Sequence, residues 1–143
     1  MSSVRRIVLR AVLDTNILVS AFTHPDGRTA ALHQAARDRR FRLLISPDLI
    51  HELARVLRGR FGWIDAEIQQ EIRKLAHLAE LIPTRTRLTI ITADPDDNRV
   101  LECALDGRAD LIVSNDRHLL ALKFFRQIPI LVGPDFRRTL GLP

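Results

Sequence analysis

Apolar and polar positions alternate along the chain in two rhythms, short β-branched runs and longer stretches with apolar residues three and four apart. Residues 7–13 are an apolar run broken by Arg10 and read as a first strand, with Asp14 at its end. Residues 17–22 open a helix, His24-Pro25-Asp26-Gly27 is a turn signal, and residues 29–40 read as a helix with Ala30, Ala31, Leu32, Ala35 and Ala36 inward. Residues 41–45 are a second strand. Ser46 and Pro47 then form a helix start, cap followed by first-turn proline, and Leu49, Ile50, Leu53, Val56 and Leu57 make the apolar stripe that Gly59 and Gly62 close.

The next amphipathic stretch, residues 65–80, places Ile68, Ile72, Leu75, Leu78 and Ala79 at helical spacing. Residues 81–83 and 88–91 read as short extended segments. Residues 97–106 predict a helix closed by Gly107, residues 111–113 a buried strand, residues 117–123 a short helix and residues 128–132 a last strand.

Strands alternating with helices predict an α/β fold, a mostly parallel sheet covered on both faces. In such sheets ligands collect beyond the carboxyl ends of the strands, so the pattern places Asp14 and Asp116 on one edge of the molecule. With 143 residues, 46% hydrophobic and 27% charged, the whole chain, 1–143, reads as one domain with a core of its own. No apolar run approaches the roughly 18 residues that span a bilayer, and the start lacks a signal peptide's apolar region, so a cytoplasmic protein without membrane association is expected. The single cysteine, Cys103, has no partner for an internal disulfide and reads as a small buried residue.

Four acidic residues stand where an apolar run ends or a helix begins: Asp14, Glu52, Asp97 and Asp116. Each has an ordinary structural reading. Asp14 and Asp116 could cap the helices that follow them, and Glu52 could pair with Arg55 on a surface helix. Asp94-Pro95-Asp96-Asp97 is a good helix opening without any chemistry, with Asp94 as cap. On a helical wheel, however, Asp97 projects with Val100, Leu101 and Ala104, so Asp97 is the chosen ligand and Asp94 is left to capping. Taken jointly, the four acids predict a carboxylate pocket that repels itself unless a hard cation neutralises it, and an oxygen-only ligand set suits Mg²⁺ or Mn²⁺. Thr15, Asn16 and Ser114 supply neighbouring groups able to hydrogen-bond a carboxylate or orient a water.

The net charge of +5 is almost wholly arginine, since Lys74 and Lys123 are the only lysines. An acidic centre on a basic body fits cleavage of a polyanion, although charge alone does not establish nucleic-acid binding. Arg55, Arg58, Arg60 and Arg117 are the candidate grips for flanking phosphates. The histidines lack zinc spacing, and no Gly-rich phosphate loop or serine elbow is present. A phosphatase-like aspartyl nucleophile at Asp14 is disfavoured by Asn16 two positions on, where such enzymes carry a second aspartate.

The motifs Val-Leu-Asp-Thr-Asn, Ser-Pro-x-Leu-x-x-Glu-Leu, Asp-Pro-Asp-Asp-Asn-x-x-Leu-Glu-x-Ala and Leu-Ile-Val-Ser-Asn-Asp-x-x-Leu-Leu resemble, together and over nearly the whole chain, those of PIN-domain proteins. The likeness is greatest to VapC-type ribonucleases, the toxins of prokaryotic toxin–antitoxin systems. It implies a three-layer α/β/α domain and a ribonuclease whose quartet, matched by Asp14, Glu52, Asp97 and Asp116, binds Mg²⁺ or Mn²⁺, with Asn16 and Ser114 at supporting positions. Asn115 stands where relatives often have Gly, a change expected to be tolerated because asparagine accepts left-handed geometry. The implied partners are an RNA substrate and an antitoxin protein, with the helix at 65–80 and Phe61-Gly62-Trp63 as the surface for that partner or for a homodimer. A housekeeping RNA-processing nuclease, or an RNA- or partner-binding module without strong catalysis, shares the same fold.

Overall fold

A computed structural model describes residues 8–143. The beginning of the expected first strand, Ile7, and the residues before it lie outside the described residues. The strand itself is shorter than the apolar run, with β1 at Arg10–Leu13. It is followed by α1 (Thr15–Thr23), α2 (Arg28–Arg37), β2 (Arg42–Ile45), α3 (Pro47–Phe61), α4 (Asp65–Leu78) and β3 (Glu80–Leu81). After a long irregular segment come α5 (Asp97–Asp106), β4 (Leu111–Val113), α6 (Arg117–Leu122), β5 (Phe124–Phe125), β6 (Ile128–Leu131) and α7 (Gly133–Thr139).

The strands form one sheet in the order β3-β2-β1-β4-β6-β5, parallel throughout except for β5 against β6. From β1 the chain winds outward through β2 to β3, then returns to the other side of β1 as β4. The order therefore reverses between β1 and β4, the crevice where an open α/β sheet accepts ligands. The register Leu13↔Val113 aligns the two strand ends, and the amide of Asp14 continues the ladder with a 2.9 Å bond to the Val113 carbonyl.

Helices complete the three-layer α/β/α architecture. α5 packs on β1, β2 and β4, while α1 packs on α2 and α3. Leu49, Leu53 and Leu57, four apart on α3, are fully buried, and truncating one such leucine to alanine costs about 2–5 kcal/mol. Ser46 caps that helix by accepting from the Leu49 amide, and Gly62 ends it in the left-handed conformation at φ 67°. Gly59 lies inside the helix, not at its end; its exposed position tolerates the weak propensity. Gly107 closes α5 where a Cβ would meet the Cys103 carbonyl at 2.8 Å. Its own carbonyl accepts from Arg10, whose guanidinium also grips Glu80.

Several expected boundaries move. α2 ends three residues early because the chain turns through Arg39 at φ 57°, and α4 ends at Leu78 because Glu80 is drawn into β3 beside β2. β5 and α7 have no counterpart in the sequence reading. Residues 88–91 are not a strand, although their composition suits one; the backbone groups of Leu88 and Ile91 at their ends are bonded by Glu102, Arg99 and Asn98 of α5. Asn115 is not among the residues with positive φ, which are Arg39, Arg108, Lys123 and Arg126 beside two glycines, so left-handed tolerance is not what admits asparagine there. Cys103 is buried as expected, and burial pushes its thiol up to about 12. Among the described residues no helix is long and apolar enough to cross a membrane.

Candidate functional site

The end of β1 delivers Asp14 into the crevice. It occupies the cap position of α1 but makes no side-chain cap bond, so the simple capping role does not account for it. Its carboxylate is buried, with Oδ2 accepting from Ser114 Oγ at 2.7 Å and Oδ1 3.5 Å from the Thr15 hydroxyl. Burial raises its pKa; the Ser114 bond opposes this and the charge of Asp116 adds to it. Asn16, the other expected support, has an exposed side chain, and its backbone amide helps hold the Asp14 pKa down.

Asp116, three residues beyond the end of β4 and two beyond Ser114, does cap α6. Its Oδ1 accepts from the amides of His118 at 2.8 Å and Leu119 at 3.2 Å, and neither bond uses Oδ2. Ser114 Oγ in turn accepts from the Asp116 amide at 2.9 Å, so one hydroxyl fixes both strand-end aspartates.

Asp97, the first residue of α5, is 7% exposed, and its Oδ2 is buried without any hydrogen-bond partner. Such an orphaned carboxylate oxygen is costly unless something outside the protein pairs with it. Asp94, Asp97 and Asp116 each offer an oxygen such that all three lie within 4.8 Å of one another. At an effective dielectric of about 20, each ionised pair at that separation repels by roughly 3 kcal/mol. Desolvation, then repulsion from Asp116 and a carboxyl–carboxyl hydrogen bond shared with it, with smaller repulsion from Asp94 and Asp14, pushes the Asp97 pKa up to about 8. The set is all oxygen, tightly spaced and internally repulsive, a donor set that fits a hard divalent cation.

Glu52 reaches the same region from α3. It is half-buried, and desolvation lifts its pKa to about 7, opposed by the Thr15 hydroxyl and the Arg55 charge and reinforced by Asp14 and Asp96. Thr15 is itself buried between the two acids that it addresses. Asp97 and Asp116 share the tightest group with Asp94; Asp14 is coupled by charge to Asp116 and Asp97, and Glu52 to Asp14, so these two border that group and are not part of it. Asp94, read from the sequence as the cap, accepts from the Asp96 amide through Oδ1 at 3.1 Å, and it also stands in the tightest carboxylate group.

An open groove of about 470 Å³ adjoins Glu52 and is lined also by Asp48, His51, Arg55, Arg58, Asp96 and Arg99. Of the arginines singled out in the sequence, Arg55 is fixed at its rim by Asp96 at 2.9 Å, and Arg58 is paired with Asp65 of α4. Arg60 and Arg117 are exposed, the latter beginning α6 beside Asp116.

Two residues that the sequence reading did not assign hold the site's surroundings. Glu102 is fully buried, yet its carboxylate faces Arg87 at 3.1 Å and Arg99 at 2.9 Å and accepts from the Leu88 amide at 2.8 Å. Arg87 also reaches Asp48 on α3. Asn98, likewise buried, bonds both the amide and the carbonyl of Ile91 and the carbonyl of Pro95. Two polar residues four apart, Asn98 and Glu102, among the apolar positions of the helix that Asp97 opens were the available signal.

A family model described as the PIN domain matches residues 10–118. The uncharacterised protein MJ1680 of Methanocaldococcus jannaschii is 23% identical over 128 residues, covering 86% of this chain and 81% of its own. Among solved structures, VapBC2 from Rickettsia felis, bound to a DNA fragment from its promoter, aligns with a TM-score of 0.57 at 18% identity over 87% of this chain and 98% of the other. PAE2754 from Pyrobaculum aerophilum aligns with a TM-score of 0.57 at 18% identity over 94% and 90%. At these identities the structural likeness concerns the fold.

Proposed function

The chain belongs to the PIN-domain family, and on that premise we propose that it is a nuclease that hydrolyses RNA phosphodiester bonds with Mg²⁺ or Mn²⁺, the toxin of a toxin–antitoxin pair. The observation that carries the reading is the orphaned, buried Oδ2 of Asp97 amid neighbouring carboxylates at the switch point of the sheet. Asp14, Asp97 and Asp116 would hold the cation. When bound, the cation supplies an acidified water and neutralises charge growing on the phosphate.

The chain's own residues account for the rest. Glu52, half-buried at the edge of the groove and coupled to Asp14, would position the attacking water and take up its proton. Ser114 and Thr15 keep the carboxylates of Asp14 and Glu52 oriented. Arg55, Arg58, Arg60 and Arg117 would engage phosphates on either side of the scissile bond, Arg55 already held at the groove by Asp96. The bound DNA of the Rickettsia felis complex belongs to that complex; a toxin of this kind would meet its antitoxin as a separate protein. The exposed Phe61 and Ile64 at the corner of α3 and α4, 42% and 63% accessible, support that corner as the surface for the partner or for a second copy.

Purified protein incubated with single-stranded RNA tests the reading. Cleavage should appear with Mg²⁺ or Mn²⁺, vanish with a chelator and vanish in Asp97→Asn. Chelator-resistant cleavage, or full activity in that variant, would refute it.

A further inference from the structure

The irregular segment between β3 and α5 runs back along α5 and is fastened to it at three levels. Asp106, Glu102 and Asn98 stand four residues apart on one face of the helix. Asp106 accepts from the amides of Arg85 and Thr86 at 2.7 and 3.0 Å and from the Thr86 hydroxyl at 2.7 Å. Glu102 takes the Leu88 amide, and Asn98 takes both backbone groups of Ile91 and the carbonyl of Pro95. No neighbouring strand is needed: three side chains do what a sheet ladder would do for this strap.

The last rung sets Asp94. With Ile91 and Pro95 both tied to Asn98, the residues between them are fixed relative to the first turn of α5, and the Asp94 carbonyl accepts from the Asp97 amide at 3.0 Å. The result is a carboxylate held within 4.8 Å of oxygens of Asp97 and Asp116, although nothing positively charged pairs with it among the described residues. A turn needs only one oxygen of Asp94, for the Asp96 amide. It does not require the side chain to face two other carboxylates, one of which has a buried oxygen without a partner.

We propose that Asp94 is a further cation ligand beside Asp14, Asp97 and Asp116, with Asn98 as its positioning residue. The inference rests on the metal-site reading above and adds to it a fourth carboxylate, drawn from the strap and not from a strand end. Asp96, two residues on, provides an internal control, because it carries the same charge but turns to Arg55.

Titration of the metal-free full chain with Mn²⁺ alone, followed by the loss of the free-ion spin-resonance signal, separates the possibilities. Asp94→Asn keeps an oxygen for the Asp96 amide and removes the charge; Mn²⁺ affinity should fall about tenfold or more. Asp94→Ser, which keeps a turn acceptor of a different shape, should show the same loss if the first variant folds poorly. Asp96→Asn should stay within about twofold, since it changes the field but not the ligand set. Asn98→Ala should weaken Mn²⁺ binding while leaving all four carboxylates in place. Wild-type affinity in both Asp94 variants, or an equal loss in Asp96→Asn, would overturn the proposal while the larger reading stands. A wild-type chain that takes up no Mn²⁺, or an Asp97→Asn variant that binds as wild type, would bring down the metal site itself and Asp94 with it.

Discussion

Ser114 Oγ lies 2.7 Å from Asp14 Oδ2 and donates to it, tying the end of β4 to the end of β1 across the switch point. The same oxygen receives the Asp116 amide, so removing it loosens both strand-end aspartates. Ser114→Ala should lower kcat/KM on RNA by about 10–100-fold, the usual effect of removing a group that orients a metal ligand. The cost in stability should be only about 1 kcal/mol, read from the urea midpoint. Unchanged cleavage would mean that the hydroxyl does not orient the site.

The raised pKa values of Asp97, to about 8, and Glu52, to about 7, make a signed prediction for the metal-free protein. Between their ordinary values and the raised ones, the folded chain holds protons that the unfolded chain has released. Their contribution to stability is therefore fully present at low pH and is lost as pH rises toward 8. In the presence of a chelator, Tm should fall between about pH 5.5 and 8.5, by on the order of 5 °C. The groups facing Asp97 are the carboxylates of Asp116, Asp94 and Asp14, so Asp97→Asn should flatten the profile and melt higher than wild type at pH 8. Mn²⁺ should reverse the order at pH 8, because a cation stabilises the charged form that it binds. A metal-free wild type that gains stability over this range would contradict the account.

Glu102 offers a test of the scaffold apart from the chemistry. Glu102→Ala leaves Arg87, Arg99 and the Leu88 amide facing an empty, buried position. The arginines left behind are 61% and 26% exposed and take up water, and the main loss is the hydrogen bonding of the Leu88 amide and the guanidinium groups, about 1–3 kcal/mol, read as a lower midpoint in chemical denaturation. The first region to open should be the strap at 83–96, seen as faster hydrogen exchange at Leu88 and Ile91. Slow exchange there in the variant would show that the ladder on α5 does not hold the segment.

Much of this was legible in the chain. The bounds of α5 could be read because Pro95, the acids before it and Gly107 all punctuate the same helix, and β4 because Leu111, Ile112 and Val113 are wholly apolar. The fold rule put Asp14 and Asp116 on one edge, beyond the carboxyl ends of their strands, whereas the strand order and its reversal between β1 and β4 came only with the structure. Other features required coordinates. Leu88, Thr89, Ile90 and Ile91 have the composition of a strand, but tertiary partners overrode propensity: the backbone of Leu88 bonds to Glu102 and Arg99 and that of Ile91 to Asn98. Strand β5 is only Phe124–Phe125, too short for periodicity to register. Asp94 was hidden because a turn-forming aspartate and a ligand look alike in sequence, and here one residue has the geometry of both.

Arginines at the groove should appear in the salt dependence of RNA binding. For a catalytically silent Asp97→Asn background, replacing Arg55 or Arg60 with alanine should reduce the slope of log K against log salt by about 0.7 each, the value for one lost phosphate contact on a single strand. Arg58, paired with Asp65 as Arg55 is with Asp96, should behave like Arg55. Slopes unchanged from the background in all variants would place the RNA path elsewhere.

Crystals grown metal-free, soaked in Mn²⁺ and measured at an anomalous wavelength test the central claim most directly. The account predicts a peak at the carboxyl ends of β1 and β4, about 2.0–2.3 Å from Asp97 Oδ2 and from an oxygen of Asp116, within reach of Asp14. Full occupancy by Mn²⁺ at some other place, with Asp97 Oδ2 still unpaired, would contradict it.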